Sequence, residues 1–333
     1  TMKFLTNSIK ILCLIVLTLL ISCGNSSKEL RAGADNNHRH VRETSLMRRD
    51  AQNKSINNTS DNLSIRWFHR NAAHKLKGIA LVIHGLNLRP EKMESIIEIL
   101  TGTGIDALNL SLRGHGQNYS QLDGRNDAQA RLNAFKSVSY ELWRDEIYAA
   151  YNIAKRRSIQ NSVPLFFVGF SFGALMGVDL LASMPEVEFN RMVLFAPGLK
   201  IHSRYQIVRV LAPFPELTLP SFSIKSYRAN DGTPVAAYNA LLDSLKHLDN
   251  NLNLKINVPT LIFIDKKDEF VSFDELKKLA ENEDLDQWKF QVVKKEAGGE
   301  LGKIHHLIID EASTGQNVWR EIKDVMVEHL GAY

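Results

Sequence analysis

The feature that most constrains the fold is a rhythm that begins near residue 63, where short apolar runs alternate with stretches whose apolar residues recur at helical spacing. "LSIRWFHR" alternates at period two and predicts a strand, and "GIALVIHG" predicts a buried strand ending at His84 and Gly85. "EKMESIIEILTGTG" predicts a helix stopped by glycines, and "IDALNLSLRGHG" a further strand. The helix "YELWRDEIYAAYNIAKRR", the strand "VPLFFVGF", the helix "FGALMGVDLLASM" and the strand "RMVLFAPG" continue the series. After a gap it resumes with "VPTLIFID", "SFDELKKLAEN", "WKFQVVKK" and a closing helix "TGQNVWREIKDVMVEHL". Strands that are apolar throughout must be covered on both sides. The expected architecture is therefore α/β: a mostly parallel central sheet with right-handed crossover helices on both faces. In such sheets chemistry gathers where loops leave the carboxyl ends of the strands.

Residues 198–257 interrupt the alternation. They carry Pro213, Pro215, Pro220 and Pro234 among short apolar clusters, followed by the helical "AAYNALLDSLKHLDNN". An insertion of this kind within a domain spanning residues 61–333 is read as a small cap over the site.

The amino terminus belongs to a different regime. Lys3 and Lys10 precede an apolar run from Ile11 to Ile21 and then small polar residues, the layout of a secretory signal. The run is shorter than the roughly 20 apolar residues of a bilayer-spanning helix. Leu20-Ile21-Ser22-Cys23 resembles a bacterial lipobox, in which cleavage precedes the cysteine and the new amino-terminal residue is acylated. The expectation is a signal peptide over 1–23, Cys23 as the lipid anchor, and a cell-envelope location. Gly24 in place of aspartate favours the outer membrane if the cell is Gram-negative. Cys13 would leave with the signal, so no pair remains for a disulfide. Residues 24–60 are polar and aperiodic and read as a flexible tether, with His38 and His40 solvated rather than metal-bound.

The net charge of +4 sits in this leader: residues 1–60 hold nine Lys/Arg and four Asp/Glu, which leaves the remainder nearly neutral. Such a domain has no basic footprint for nucleic acid.

Within it, "PLFFVGFSFGALMG" breaks an apolar strand at Gly169-Phe170-Ser171-Phe172-Gly173 and runs straight into a helix. A strand ending in Gly-x-Ser-x-Gly is the nucleophile elbow: a tight turn lifts the serine hydroxyl above the sheet, and the flanking glycines keep neighbouring backbones from colliding. With the elbow, His84-Gly85, Arg113-Gly114-His115-Gly116 and a late acid and histidine in the order Ser, Asp, His, residues 63–330 resemble the α/β-hydrolases. The likeness is to the serine-aminopeptidase and monoacylglycerol-lipase-like branch, and it is weakest across the cap.

The resemblance implies that Ser171 is the nucleophile. It implies an acid three residues past a strand end and followed by an apolar residue, which selects Asp268 in "PTLIFIDKKDEFVS"; Asp265 stands where the branch often has glycine. For the histidine, "GKIHHLIIDEAS" offers His305 and His306, each with an acid five residues on, so spacing does not separate them. We favour His306, which directly precedes Leu307-Ile308-Ile309, with His305 as the close alternative. His115 is expected to be structural, and His69, His74 and His202 to be ordinary polar residues. The expected oxyanion donors are the backbone amides of Leu86 and Phe172. The chemistry implied needs no metal and no cofactor.

Three functions stay open at this point. The first is a serine hydrolase cleaving carboxylic esters through an acyl-enzyme, of lysophospholipase, monoacylglycerol lipase or carboxylesterase type. The second is a serine aminopeptidase, and the third a non-catalytic binding lipoprotein with the hydrolase fold. The expected partners are a small-molecule or lipid ester and the membrane that holds Cys23.

Overall fold

The structure, a computed structural model, describes residues 63–221 and 223–331. The expected signal, lipobox and tether lie outside the described residues. The first half of the domain runs β1 (Ser64–Phe68), β2 (Gly78–Ile83), α1 (Glu94–Gly102), β3 (Ile105–Ser111), α2 (Asp127–Lys136), α3 (Tyr140–Asn161), β4 (Leu165–Phe170), α4 (Phe172–Ser183) and β5 (Arg191–Phe195). A 3-10 segment at Ser203–Leu211, the short strands β6 (Thr218–Pro220) and β7 (Gly232–Pro234), and helix α5 (Val235–Asn251) fill the interruption. The chain then continues through β8 (Thr260–Ile264), α6 (Phe273–Asn282), β9 (Trp288–Val292), α7 (Gly299–Lys303), α8 (Glu311–Thr314) and α9 (Gln316–Gly331).

Seven strands form one sheet in the order β1-β3-β2-β4-β5-β8-β9. Only β1 is antiparallel to its neighbour; the other pairings are parallel. β4 is the central strand, and all six of its residues are buried. Its side chains alternate between two cores, as the period-two pleat requires. Phe167 joins Trp143 of α3 and Leu175 and Leu180 of α4 on one face, while Phe166 and Val168 join Ile97 of α1 and Met326 of α9 on the other. This is the mostly parallel, doubly covered sheet expected from the sequence.

Local signals set several boundaries. Ser139 and Ser272 cap α3 and α6 by accepting hydrogen bonds from the amides of Leu142 and Glu275, which satisfies donors that the first helical turn leaves free. The expected closing helix is present as α9, beginning just after Gly315, whose φ of 97° suits glycine and separates α9 from the short α8 before it.

Trp143 links the helical layer to the loops above the sheet. Its indole N–H donates to the Arg113 carbonyl at 3.1 Å, and its ring packs on Phe172 at 4.9 Å and on His115 at 6.1 Å between centroids. It is fully buried. Trp143→Ala is expected to lower stability by about 3–5 kcal/mol, read as a shift of the urea midpoint with an unchanged slope.

Candidate active site

β4 ends at Phe170, and α4 begins two residues later. Between them Ser171 takes φ 52° and ψ −115°, a conformation that costs a non-glycine residue about 1–3 kcal/mol. The turn is held from both sides: the Ser171 amide donates to the Phe195 carbonyl at 2.9 Å, and the Ser171 carbonyl accepts from the Gly198 amide at 3.0 Å. The two elbow glycines are needed for close approach. A Cβ at Gly169 would lie 2.7 Å from the Cα of Ala174, and one at Gly173 would lie 2.5 Å from the carbonyl oxygens of Ile83 and His84. Serine is a favoured helix N-cap, yet Ser171 makes no side-chain cap bond; its hydroxyl faces His306 instead.

Ser171, His306 and Asp268 are brought together although they are far apart in sequence. His306 Nε2 lies 2.8 Å from Ser171 Oγ, and His306 Nδ1 lies 2.8 Å from Asp268 Oδ2. A carboxylate only accepts, so Nδ1 carries the proton and Nε2 accepts from the serine hydroxyl. The other oxygen of Asp268 accepts from the amides of Phe270 and Val271, both at 2.8 Å. The Asp268 side chain is fully buried. Rings enclose the imidazole: Phe170 and Phe270 stand 5.1 and 5.0 Å from its centroid. Phe170 thus touches the site, whereas Phe172 packs into the core against Trp143.

The expected oxyanion donors occupy a braced corner. Phe172 opens α4, so its amide has no intrahelical acceptor. The Gly85–Leu88 turn carries Leu86 and is closed by the Leu88 amide donating to the Gly85 carbonyl at 3.1 Å. Two buried histidines support that turn. The Leu112 amide donates to His84 Nε2 at 3.1 Å, and the Asn87 amide donates to His115 Nε2 at 3.0 Å. Both rings therefore keep their proton on Nδ1, which donates to the Gly85 and Arg113 carbonyls. Burial lowers the His84 pKa to about 4, partly offset by the bond to Gly85. Burial, then the neighbouring His84, holds His115 well below the ordinary histidine value.

A profile of the family described as serine aminopeptidase, S33, matches residues 74–296, about two thirds of the chain. The chain belongs to that family. Among solved structures, the family fold recurs in a monoglyceride lipase from Saccharomyces cerevisiae bound to a substrate analogue. That match has a TM-score of 0.64 and 15% identity, covering 82% of this chain and 92% of that one. It recurs in the metagenome-derived lipolytic enzymes LipS and LipT, with a TM-score of 0.62, 18% identity, and coverage of 82% and 99%. A monoacylglycerol lipase from Paleococcus ferrophilus aligns with a TM-score of 0.55 at 17% identity over 80% and 99%. No curated protein matches. The family match ends before His305 and His306, so geometry alone describes that part of the site.

Sequence reasoning named His305 and Asp265 but not their pairing, and it did not single out Glu269, Asn87, Asn230 or Tyr227. His305 Nδ1 donates to Asp265 Oδ2 at 2.8 Å, forming a second His–Asp pair beside the first. Glu269 accepts from the amides of His305 and His306 at 2.8 and 3.0 Å. Asn87 ties the Leu86 turn to the insertion, donating from Nδ2 to the Asn230 carbonyl at 3.0 Å and accepting from the Asn230 amide at 2.8 Å. Tyr227 donates to Asp310 at 2.8 Å. Only Glu269 carried a signal, its position next to Asp268; the rest depend on partners more than 80 residues away or on a pairing spacing could not resolve. His202 Nε2 lies 3.2 Å from the Asp268 carbonyl, while His69 Nδ1 lies 3.2 Å from Asp106 beneath the sheet. Among the described residues no group of three potential ligands converges on a metal position, and no helix is long and apolar enough to cross a membrane.

The neutral His84 has a consequence for stability. In the unfolded chain it takes up a proton near pH 6.5, in the folded protein only near pH 4, so the unfolded state binds more protons between these values. Its contribution is complete above pH 6.5 and is lost as pH falls towards 4, up to about 3 kcal/mol. Urea midpoints should decline over that window; a flat profile from pH 7 to 4.5 would contradict a neutral, buried His84.

Proposed function

We propose that the protein is a serine hydrolase of carboxylic esters, with Ser171 as nucleophile, His306 as general base and Asp268 as the acid that orients it. The observation that carries this reading is the unbroken hydrogen-bonded line from Asp268 through His306 to Ser171 at a strained elbow. As Ser171 Oγ bonds to the acyl carbon, its proton passes to His306 Nε2, and Asp268 stabilises the resulting imidazolium. The carbonyl oxygen becomes an oxyanion that the amides of Phe172 and Leu86 receive, each such donor contributing about 3–4 kcal/mol. His306 then protonates the departing alcohol. Water, deprotonated by His306, attacks the acyl-enzyme and releases the acid and Ser171.

Two observations support ester over peptide substrates. The structural neighbours are described as lipases, monoglyceride lipases among them. The carboxylates of the acid loop, Asp265, Asp268 and Glu269, already accept hydrogen bonds from histidine side chains or amides within the site, so an α-ammonium group would have to find another acid. The aminopeptidase reading rests on the family description.

The substrate class we favour is a lysophospholipid, monoacylglycerol or similar carboxylic ester. Residues 198–257 act as its cap, and acylated Cys23 holds the enzyme at the cell envelope, on the outer membrane in a Gram-negative cell. An extended pairing of the insertion with the acid loop supports the cap. Ile201 bridges Val271, the His202 amide donates to the Phe270 carbonyl at 2.9 Å, and the Ser272 amide donates to the Lys200 carbonyl at 2.9 Å.

A series of p-nitrophenyl esters of increasing acyl length, run beside aminoacyl-p-nitroanilides, should show hydrolysis of the esters alone. Ser171→Ala and His306→Ala should each lower kcat by about 10⁴-fold or more, with His305→Ala far milder. Fluorophosphonate labelling that is absent, or unchanged in Ser171→Ala, would sink the enzymatic reading. Loss of activity in His305→Ala with His306→Ala intact would transfer the role of base to His305. Metabolic labelling with palmitate should mark the wild-type chain and leave Cys23→Ala unmarked.

A further inference from the structure

The arm that delivers His306 is only partly buried: Leu301 and Ile304 pack against the core without being enclosed by it. After β9 the chain passes through Gly298 and Gly299, where an added Cβ would meet nothing, and through α7, none of whose residues is buried. Burial resumes only at Leu307, Ile308 and Ile309. His306 therefore sits at the junction between a partly buried arm and a fully buried anchor. Its ring must meet Ser171 and Asp268 together at 2.8 Å each.

Polar contacts add to this partial packing. Lys295 Nζ donates to the carbonyls of Leu301, Ile304 and Leu307 at 2.7, 2.5 and 2.9 Å, folding the arm back on itself. From the opposite side Glu269 accepts from two consecutive amides, those of His305 and His306, one on each carboxylate oxygen. Glu269 is the next residue after Asp268, so one short loop holds both the ring of His306 and the backbone that carries it. Asp265, in the same loop, binds the ring of His305 at 2.8 Å and keeps that imidazole on a partner of its own. The loop is fixed in turn by the insertion, for Arg204 Nη2 donates to the Glu269 carbonyl at 2.7 Å.

We propose that Glu269 is a positioning residue for the reaction: by clamping the amides of His305 and His306 it sets the approach of His306 to Ser171, with Asp265 and His305 as the second arm of the same clamp. This rests on the reading of His306 as the base. Two amides that lose their shared acceptor leave the arm free to drift, and a misplacement of about 1 Å in a reacting group can lower the rate about a hundredfold. Both carboxylate oxygens of Glu269 are engaged by these amides, so the expected effect belongs in kcat rather than KM.

The test compares Glu269→Gln and Glu269→Ala with wild type and with Glu300→Gln, a change on the exposed α7, using the full-length protein and the p-nitrophenyl ester it hydrolyses best. Active sites are counted by fluorophosphonate titration so that kcat is expressed per competent site. We expect kcat per site to fall about tenfold in the Gln variant, which keeps one acceptor, and about a hundredfold in the Ala variant, with KM within about threefold and Glu300→Gln unchanged. Should Glu269→Ala fail to fold, Glu269→Gln carries the comparison. An unchanged kcat per site, even with fewer competent sites, would overturn the positioning role by reducing Glu269 to a structural one. A wild-type protein without Ser171-dependent hydrolysis would remove the base assignment and this proposal with it, whereas active wild type with unaltered variants would remove the proposal alone.

Discussion

The backbone of Ser171 is the constraint around which the site is arranged. Its φ of 52° is unfavourable for serine, and it is held by hydrogen bonds to Phe195 and Gly198 on the neighbouring strand end. The central strand must be buried on both faces for that grip to be rigid, and the two cores on either side of β4 provide this. Glycine at 169 and 173 follows from the same turn, because the strand end, the helix start and β2 converge within contact distance. The serine gives up its role as a helix cap, a small loss of helix stability that leaves its hydroxyl available to His306.

The loops that meet the elbow bury many polar groups, and these are satisfied by hydrogen bonds within the loops and to their neighbours. His84 and His115 remain neutral because charging them in the interior would require desolvating an imidazolium, and in the neutral state each has one donor and one acceptor nitrogen to bridge two backbone groups. Asn87 joins this pair to residues 230–233, and Tyr227 joins the histidine arm to the insertion. The segment that interrupts the α/β rhythm is consequently bonded to the acid loop, the Leu86 turn and the histidine arm. Changes in it reach all three.

The α/β architecture was legible because burial on both faces leaves a dense apolar signature at β2, β4, β5 and β8, and segments of helical length separate them. Gly169 to Gly173 was legible because the turn excludes side chains at fixed positions. The short α8 was not, since four residues are too few to show a helical period. The choice between His305 and His306 was closed to sequence reasoning for a sharper reason. Both have an acid five residues on, and both have an aspartate in the 265–268 loop; only the direction of each ring distinguishes them.

From sequence alone came the seven strands of the main sheet and the longer helices between most of them, the place of the serine turn, and the residue types at the strand ends, because periodicity and steric exclusion are local. Tertiary structure alone decided that His306 meets both Ser171 and Asp268 while His305 pairs with Asp265. It also decided that Glu269 binds the two intervening amides and that His84 and His115 are proton-poor braces. These are distances and desolvation between segments separated by tens of residues, and they exist only once the sheet has brought the loops to one end.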